Sequence, residues 1–277
     1  MGTAGAGAFS SMTPPSILTS VANPHVRKAR ALHQGKHRRE SGLALAEGVK
    51  VVTELLDLPG RVRELFWCST VYERPGGTAL LEKAAAAGVQ LTGVSTPVLA
   101  RIADTRTPQG VVAVVALTPA PLMQVVTGTG DLLVLAGVQD PGNVGTLMRS
   151  AEAAGACGVI IDRNCADPTG FKAVRAAAAS VFRLPWGVWD APADSLADYL
   201  KSESFTVCVA QVDGDTSPAD LPAGVRAAWV MGAEGQGVPL ELAAAADRAI
   251  RIPMAPPVDS LNVAVAGSLL MFGRRLG

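Results

Sequence analysis

Short apolar runs alternate with stretches of helical periodicity along most of this chain. The run over 111–117, VVAVVAL, is β-branched and bounded by Gly110 and Pro119, the pattern of a fully buried strand. Similar runs at 43–46, 62–68 and 89–93 are separated by helical patterns at 48–58, 78–87 and 95–103. Asn23-Pro24 is a helix start signal and predicts a basic helix over 21–39. This alternation predicts a small α/β domain over 21–117.

Residues 118–130, TPAPLMQVVTGTG, are punctuated by Pro119, Pro121, Gly128 and Gly130 and read as a linker. A second series follows over 131–277. Strands are predicted at 132–137, 158–162, 205–211, 227–231 and 248–252, and helices at 144–155, 171–179, 195–202 and 260–273. Apolar strands in such an order form a mostly parallel sheet covered on both faces. Residues 1–20 have neither a basic n-region nor an apolar h-region, so they read as a disordered leader and not as a secretory signal.

Composition narrows the chemistry. With 49% hydrophobic residues and a mean hydropathy of +0.30, cores can form without disulfides or metals. No apolar run reaches the roughly 18 residues of a membrane span, and a cytoplasmic protein is expected. Cys68, Cys157, Cys165 and Cys208 lack paired spacing, which predicts free thiols and no zinc site. All three histidines, at 25, 33 and 37, precede the second series. Ser-His-Asp and Cys-His catalysis and His-bound metals are thereby excluded from it. Net charge is zero, yet Arg27, Lys28, Arg30, Lys36, Arg38 and Arg39 crowd one segment whose only acid up to residue 40 is Glu40. They are candidate contacts for a polyanion such as RNA, or equally one solvated helix face.

Three segments carry candidate chemistry. In 132–155, LLVLAGVQDPGNVGTLMRSAEAAG, a buried strand enters a Gly/Pro/Asn turn and then a helix, where α/β proteins bind ligands. The lysine of a P-loop and the spacing of a dinucleotide fingerprint are both missing. Asn143 is placed to cap the helix. Gly145 and Arg149 share a face, with room for a ligand beside the guanidinium, although Arg149 could instead pair with Glu152 one turn on. In 229–239, WVMGAEGQGVP, a strand ends in three glycines around Glu234. In 250–272, Pro253, Pro256 and Pro257 stiffen a loop before an apolar helix whose first turn holds Ser260 and Asn262. So apolar a helix must be buried all round, against its own core or another chain. Singly, each segment is explained as well by a cap, a turn or a core helix.

Together, DPGNVGTLMRSAEAAG, MGAEGQGVP and IPM…SLNVAVA resemble, in order and spacing, the three motifs of SpoU-type ribose methyltransferases in the SPOUT superfamily. The resemblance covers 131 to the C-terminus. Residues 21–117 more loosely resemble the substrate-binding domain of rRNA-directed members, through AEGVK at 46–50. It implies a small N-terminal α/β RNA-binding domain before a parallel-sheet α/β domain with a trefoil knot. It further implies S-adenosyl-L-methionine (SAM) as cosubstrate, no metal, and a homodimer with its site at the subunit interface. The implied reaction is methyl transfer to a ribose 2′-hydroxyl, in 23S rRNA before tRNA. A non-catalytic RNA-binding homologue is the alternative from another class. By similarity, the backbones of Gly232, Ile252 and Leu261 hold the adenosine part of SAM. Asn143, Arg149, Glu234, Ser260 and Asn262 match catalytic or supporting positions, with Arg149 foremost. Three departures stand out: Pro256 where a Gly is common, and Ala177 and Ala179 where a Ser and a Gly are frequent.

Overall fold

A computed structural model describes residues 17–276. Most of the expected leader, 1–16, lies outside these. Its last part departs from expectation: Leu18 donates to the Gly93 carbonyl at 2.9 Å, accepts from the Ser95 N–H at 3.0 Å and bridges to Val94. The chain forms two compact units, one running to His37 and resuming over Leu45–Ala116, the other comprising Arg38–Ala44 and Leu117–Gly277.

The first unit is built from α1 (Pro24–Ala31), the start of α2 (Gly35–Ser41), the later part of β1 (Leu43–Glu47), α3 (Val49–Leu55), β2 (Val62–Trp67), α4 (Gly77–Ala86), β3 (Gln90–Gly93), α5 (Thr96–Ile102) and β4 (Val111–Ala116). Its sheet has the order β1-β4-β2-β3, with β2 antiparallel to β4 and parallel to β3. The β-branched run of β4 is buried from Val111 to Val115, as its composition predicts. The single basic helix expected over 21–39 is broken. Val26 and Ala29 bury one stripe of α1, Leu32 follows them into the core, and the His33 Nε2–H donates to the Ile102 carbonyl at 2.7 Å. Gly35 then restarts the chain as α2.

The second unit contains α6 (Leu122–Val126), β5 (Leu132–Ala136), α7 (Pro141–Ala154), β6 (Gly158–Asp162), α8 (Phe171–Ala177), α9 (Ser180–Arg183), β7 (Trp186–Trp189), α10 (Ala193–Ser202), β8 (Phe205–Ala210), β9 (Arg226–Gly232), α11 (Leu240–Ala244), β10 (Arg248–Ile250) and α12 (Val263–Leu276). Six strands in the order β10-β8-β9-β5-β6-β7 pair in parallel throughout. Val134, Ile160, Val207 and Val230 present one face of the sheet to Leu196, Leu200 and Leu242 of α10 and α11. Helices α7 and α12 contact β5 and β9 and each other. Burial on both faces is what the non-alternating strand sequences require.

Five local expectations are corrected. Helix α6 lies inside the segment read as a linker, and β7 was not expected at all. Asp140, not Asn143, caps α7: its Oδ1 accepts from the N–H groups of Gly142 at 2.7 Å and Asn143 at 3.0 Å. Helix α12 starts at Val263, so Ser260 precedes it and Asn262 is its cap, accepting from Ala264 N–H at 2.9 Å. This helix is one-sided and not buried all round. Val263, Ala264, Gly267, Leu270 and Met271 face inward, while Val265 and Leu269 are each 48% exposed.

Candidate active site

The carboxyl ends of β8, β9 and β10 and the loop before α12 enclose a cleft of about 540 Å³. Gly232, Ile252 and Leu261 all line it, beside Met254, Val263 and Ala266. These last three were not singled out in the sequence, because apolar positions carry no signal distinct from core. The turn after β9 is tight. Ala233 and Gly237 exchange two backbone hydrogen bonds at 2.9 Å, and a Cβ on Gly232 would fall 2.1 Å from the Gly237 carbonyl carbon. Only glycine fits there, and the turn it permits puts Glu234 on the cleft wall.

Glu234, Asn143 and Asn262 are joined by hydrogen bonds. The Asn143 amide Nδ2 donates to Glu234 Oε1 at 2.7 Å, and the Asn262 Nδ2 donates to Asn143 Oδ1 at 3.1 Å. The Gln139 N–H donates to the other Glu234 oxygen at 3.3 Å. One residue from each of the three segments is thus held by the next. Partial burial opposes charge on Glu234, but the bonds from Asn143 and from nearby backbone N–H groups outweigh it and hold its carboxyl below the usual range. Lys172 binds Asp140 at 2.7 Å and, with the N–H groups of Asn143 and Gly142, lowers that carboxyl too. The Asp-Pro pair at 140–141 was the readable signal for this cap.

Arg149 is not part of this chain of bonds. It is exposed on α7, makes no hydrogen bond or ion pair among the described residues, and does not line the cleft. Its expected alternative partner is taken. Glu152 accepts from Arg183 Nε at 2.6 Å and Nη2 at 2.8 Å, and from the Ser180 hydroxyl. Gly145 likewise has a different task from the one its spacing suggested. A Cβ there would lie 2.3 Å from the Ala173 carbonyl oxygen and 2.8 Å from the Ala177 nitrogen, so Gly145 lets α7 cross α8 at backbone distance. Ser260 lines the cleft, and among the described residues its hydroxyl donates to Asp259, at 3.1 Å. Pro256 is joined to Pro257 by a cis peptide, and Ala177 and Ala179 are buried.

Of the six basic candidates, Arg27, Lys28, Arg30, Lys36 and Arg39 are exposed. Arg38 is not available to RNA. It is 8% exposed, with Nη2 on Asp167 at 2.7 Å and Nε on Thr169 at 3.0 Å. A buried cation needs such partners, and no local pattern signals that residues 129 and 131 positions away supply them.

Residues 131–272 match the SpoU rRNA methylase family. The chain belongs to that family. Residues 23–113 match the MRM3-like substrate binding domain. The 23S rRNA (guanosine(2553)-2′-O)-methyltransferase RlmP of Bacillus subtilis is 32% identical to this SpoU methylase, over 93% of this chain and 98% of its own. The 23S rRNA (guanosine-2′-O-)-methyltransferase RlmB of Bordetella pertussis is 31% identical, over 80% and 92%. The crystal structure of the AdoMet-bound rRNA methyltransferase from Sinorhizobium meliloti superposes with a TM-score of 0.81 at 32% identity, covering 94% of this chain and 97% of that one.

S-adenosyl-L-methionine is the cosubstrate of this SpoU methylase, and the cleft fits it. Ile252, Met254, Leu261 and Val263 offer apolar walls for a purine at the carboxyl ends of the strands.

Proposed function

We propose that the chain transfers the methyl group of SAM to a ribose 2′-hydroxyl of 23S rRNA, as a cytoplasmic homodimer. The observation that carries this reading is the bonded series Glu234–Asn143–Asn262 on the wall of an apolar cleft. Two relatives that are 23S rRNA 2′-O-methyltransferases favour the same substrate class.

When bound, SAM supplies an electrophilic methyl carbon. The protein's part is to orient the hydroxyl and to accommodate the charge that develops on it. Glu234, held ionised by its hydrogen bonds, is a weak base and serves to fix the Asn143 carboxamide. Asn262 anchors the other side of that carboxamide while capping α12. Ser260, which lines the cleft, turns its hydroxyl from Asp259 to bond the ribose. Arg149 carries a guanidinium, a cation with N–H donors and no acceptor, and cannot take the proton. It grips the phosphate next to the target and stabilises alkoxide as it forms, and the proton leaves to phosphate or water. Arg27, Lys28, Arg30, Lys36 and Arg39 add phosphate contacts, which give affinity without naming a sequence.

Two observations favour a homodimer with its site at the interface. Val265 and Leu269, one turn apart on α12, are each 48% exposed, and Leu261, just before the helix, is 38% exposed, which together make an exposed apolar surface. Arg149 also stands off its own chain's cleft, so a second copy is the natural source of the guanidinium there. The superfamily's trefoil knot is included in this reading on the strength of the family likeness. Among the described residues no helix is long and apolar enough to cross a membrane.

The test is a map of ribose 2′-O-methylation in RNA from cells with and without the gene. A gene-dependent mark in 23S rRNA is expected. A mark confined to tRNA would move the reading to a tRNA methyltransferase, and no mark together with no SAM binding by calorimetry would leave an RNA-binding homologue.

A further inference from the structure

Arg149 and Glu152 stand three residues apart on α7, where side chains are neighbours about 5–6 Å apart at Cβ. Opposite charges at that spacing attract, and an arginine so engaged is less able to meet a phosphate. In this protein the two are separated. The Glu152 carboxylate is gripped in the bidentate fork of Arg183, at 2.6 and 2.8 Å, and takes a further bond from the Ser180 hydroxyl. Arg183 and Ser180 both come from α9, the short helix packed beside α7. The Glu152 side chain is only 28% exposed and its oxygens point to α9, while Arg149 is left exposed. A planar fork matched to a carboxylate is the strongest competitor a second guanidinium could face.

We propose that Arg183 is a positioning residue for methyl transfer, acting through Glu152. By holding that carboxylate on α9, it leaves the Arg149 guanidinium uncommitted and free for an RNA phosphate. The inference rests on Arg149 being the residue that meets the substrate. Removing the fork releases Glu152 to swing onto Arg149, so the substrate must then compete with an internal anion.

The experiment uses the full-length protein, SAM and its RNA substrate. Arg183→Met is expected to lower kcat/KM for RNA by about two- to fivefold, the size of one competing surface ion pair, chiefly through a raised KM. SAM affinity by calorimetry, with one site per chain, should be unchanged and reports the folded fraction. Adding Glu152→Gln to Arg183→Met should restore the wild-type KM, because the competing anion is gone. Arg183→Lys, which keeps a cation on Glu152, should lose less than Arg183→Met, and it carries the same rescue test if the methionine variant does not fold. A wild-type KM in folded Arg183→Met would overturn the proposal. So would a double variant as impaired as the single one, since that is the signature of a purely structural contact. Arg149→Ala with the wild-type rate would instead overturn the reading of Arg149 itself, which separates the two failures.

Discussion

Gly145→Ala is a one-methyl change whose cost can be worked from the structure. The added Cβ would sit 2.3 Å from the Ala173 carbonyl oxygen, 2.7 Å from the Ala176 Cβ and 2.8 Å from the Ala177 nitrogen. Two of these neighbours are backbone atoms of α8, which cannot rotate aside, so the helices must separate. Overpacking of this kind costs about 1–3 kcal/mol, and backbone contact on two sides places it near the upper end. Replacing glycine by alanine inside a helix returns about 0.5–1 kcal/mol. The net loss is about 2 kcal/mol, or a fall in Tm of about 4–8 °C for a domain of this size. Thermal unfolding followed by circular dichroism measures it. Gly273→Ala is the control, because its Cβ would meet nothing nearer than Pro218 at 4.0 Å, and it should be neutral or stabilising. If Gly145→Ala were as stable as wild type but had lost RNA binding, the glycine would be making room for ligand after all, and the helix-crossing account would be wrong.

Other outcomes follow from the same geometry. Arg149→Ala should lower the methylation rate by about 10²–10³, as loss of one charge-stabilising donor does, with SAM affinity retained in calorimetry. Asp140, Glu152, Asp167 and Glu234 all have carboxyls held below their ordinary values. Their folded-state pKa values lie under the unfolded ones, so they stabilise the fold above the ordinary carboxyl range and lose that contribution as pH falls through the folded values. Urea titrations at stepped pH should therefore show this contribution lost on the acid side, with a shallower acid fall in Glu152→Gln. Leu269→Asp puts a charge beside Val265 on the exposed side of α12, and sedimentation velocity should show the proposed dimer for wild type and monomer for the variant. A wild-type dimer with that charge in place would move the interface elsewhere.

Strands buried on both faces were legible because their composition is unambiguous, as in Leu132–Ala136, where every residue is buried. Strand β7 was not, since Trp186–Trp189 is four residues long and contains a glycine. Local signals also misled where two candidates competed. Asp140 and Asn143 are both capping types, and only the structure shows that the helix starts at Pro141. Within the site, all three segments were recognised as such, but not the bonds that join them. Asn143 reaches Glu234 across 91 residues and Asn262 across 119, separations at which periodicity says nothing. The pairing of Arg149 with Glu152 failed for a similar reason. Local spacing favoured it, and Arg183, 31 residues beyond Glu152, offered the better fork.

Helix α7 has little freedom left in it. Its first turn is capped by Asp140 and tied through Asn143, Gly145 presses it to backbone distance from α8, and Ser150 accepts from Ser268 of α12 at 2.7 Å. Arg149 is the exception, a long side chain with no hydrogen bond or ion pair among the described residues. Immobilising such a chain costs up to about 2 kcal/mol of rotamer entropy. On the proposal that Arg149 meets an RNA phosphate, that cost falls as the phosphate arrives, and a wrongly placed backbone gains too little from the guanidinium to offset the ordering. Looseness confined to one arginine on a rigid helix would thereby act as a filter on substrate geometry.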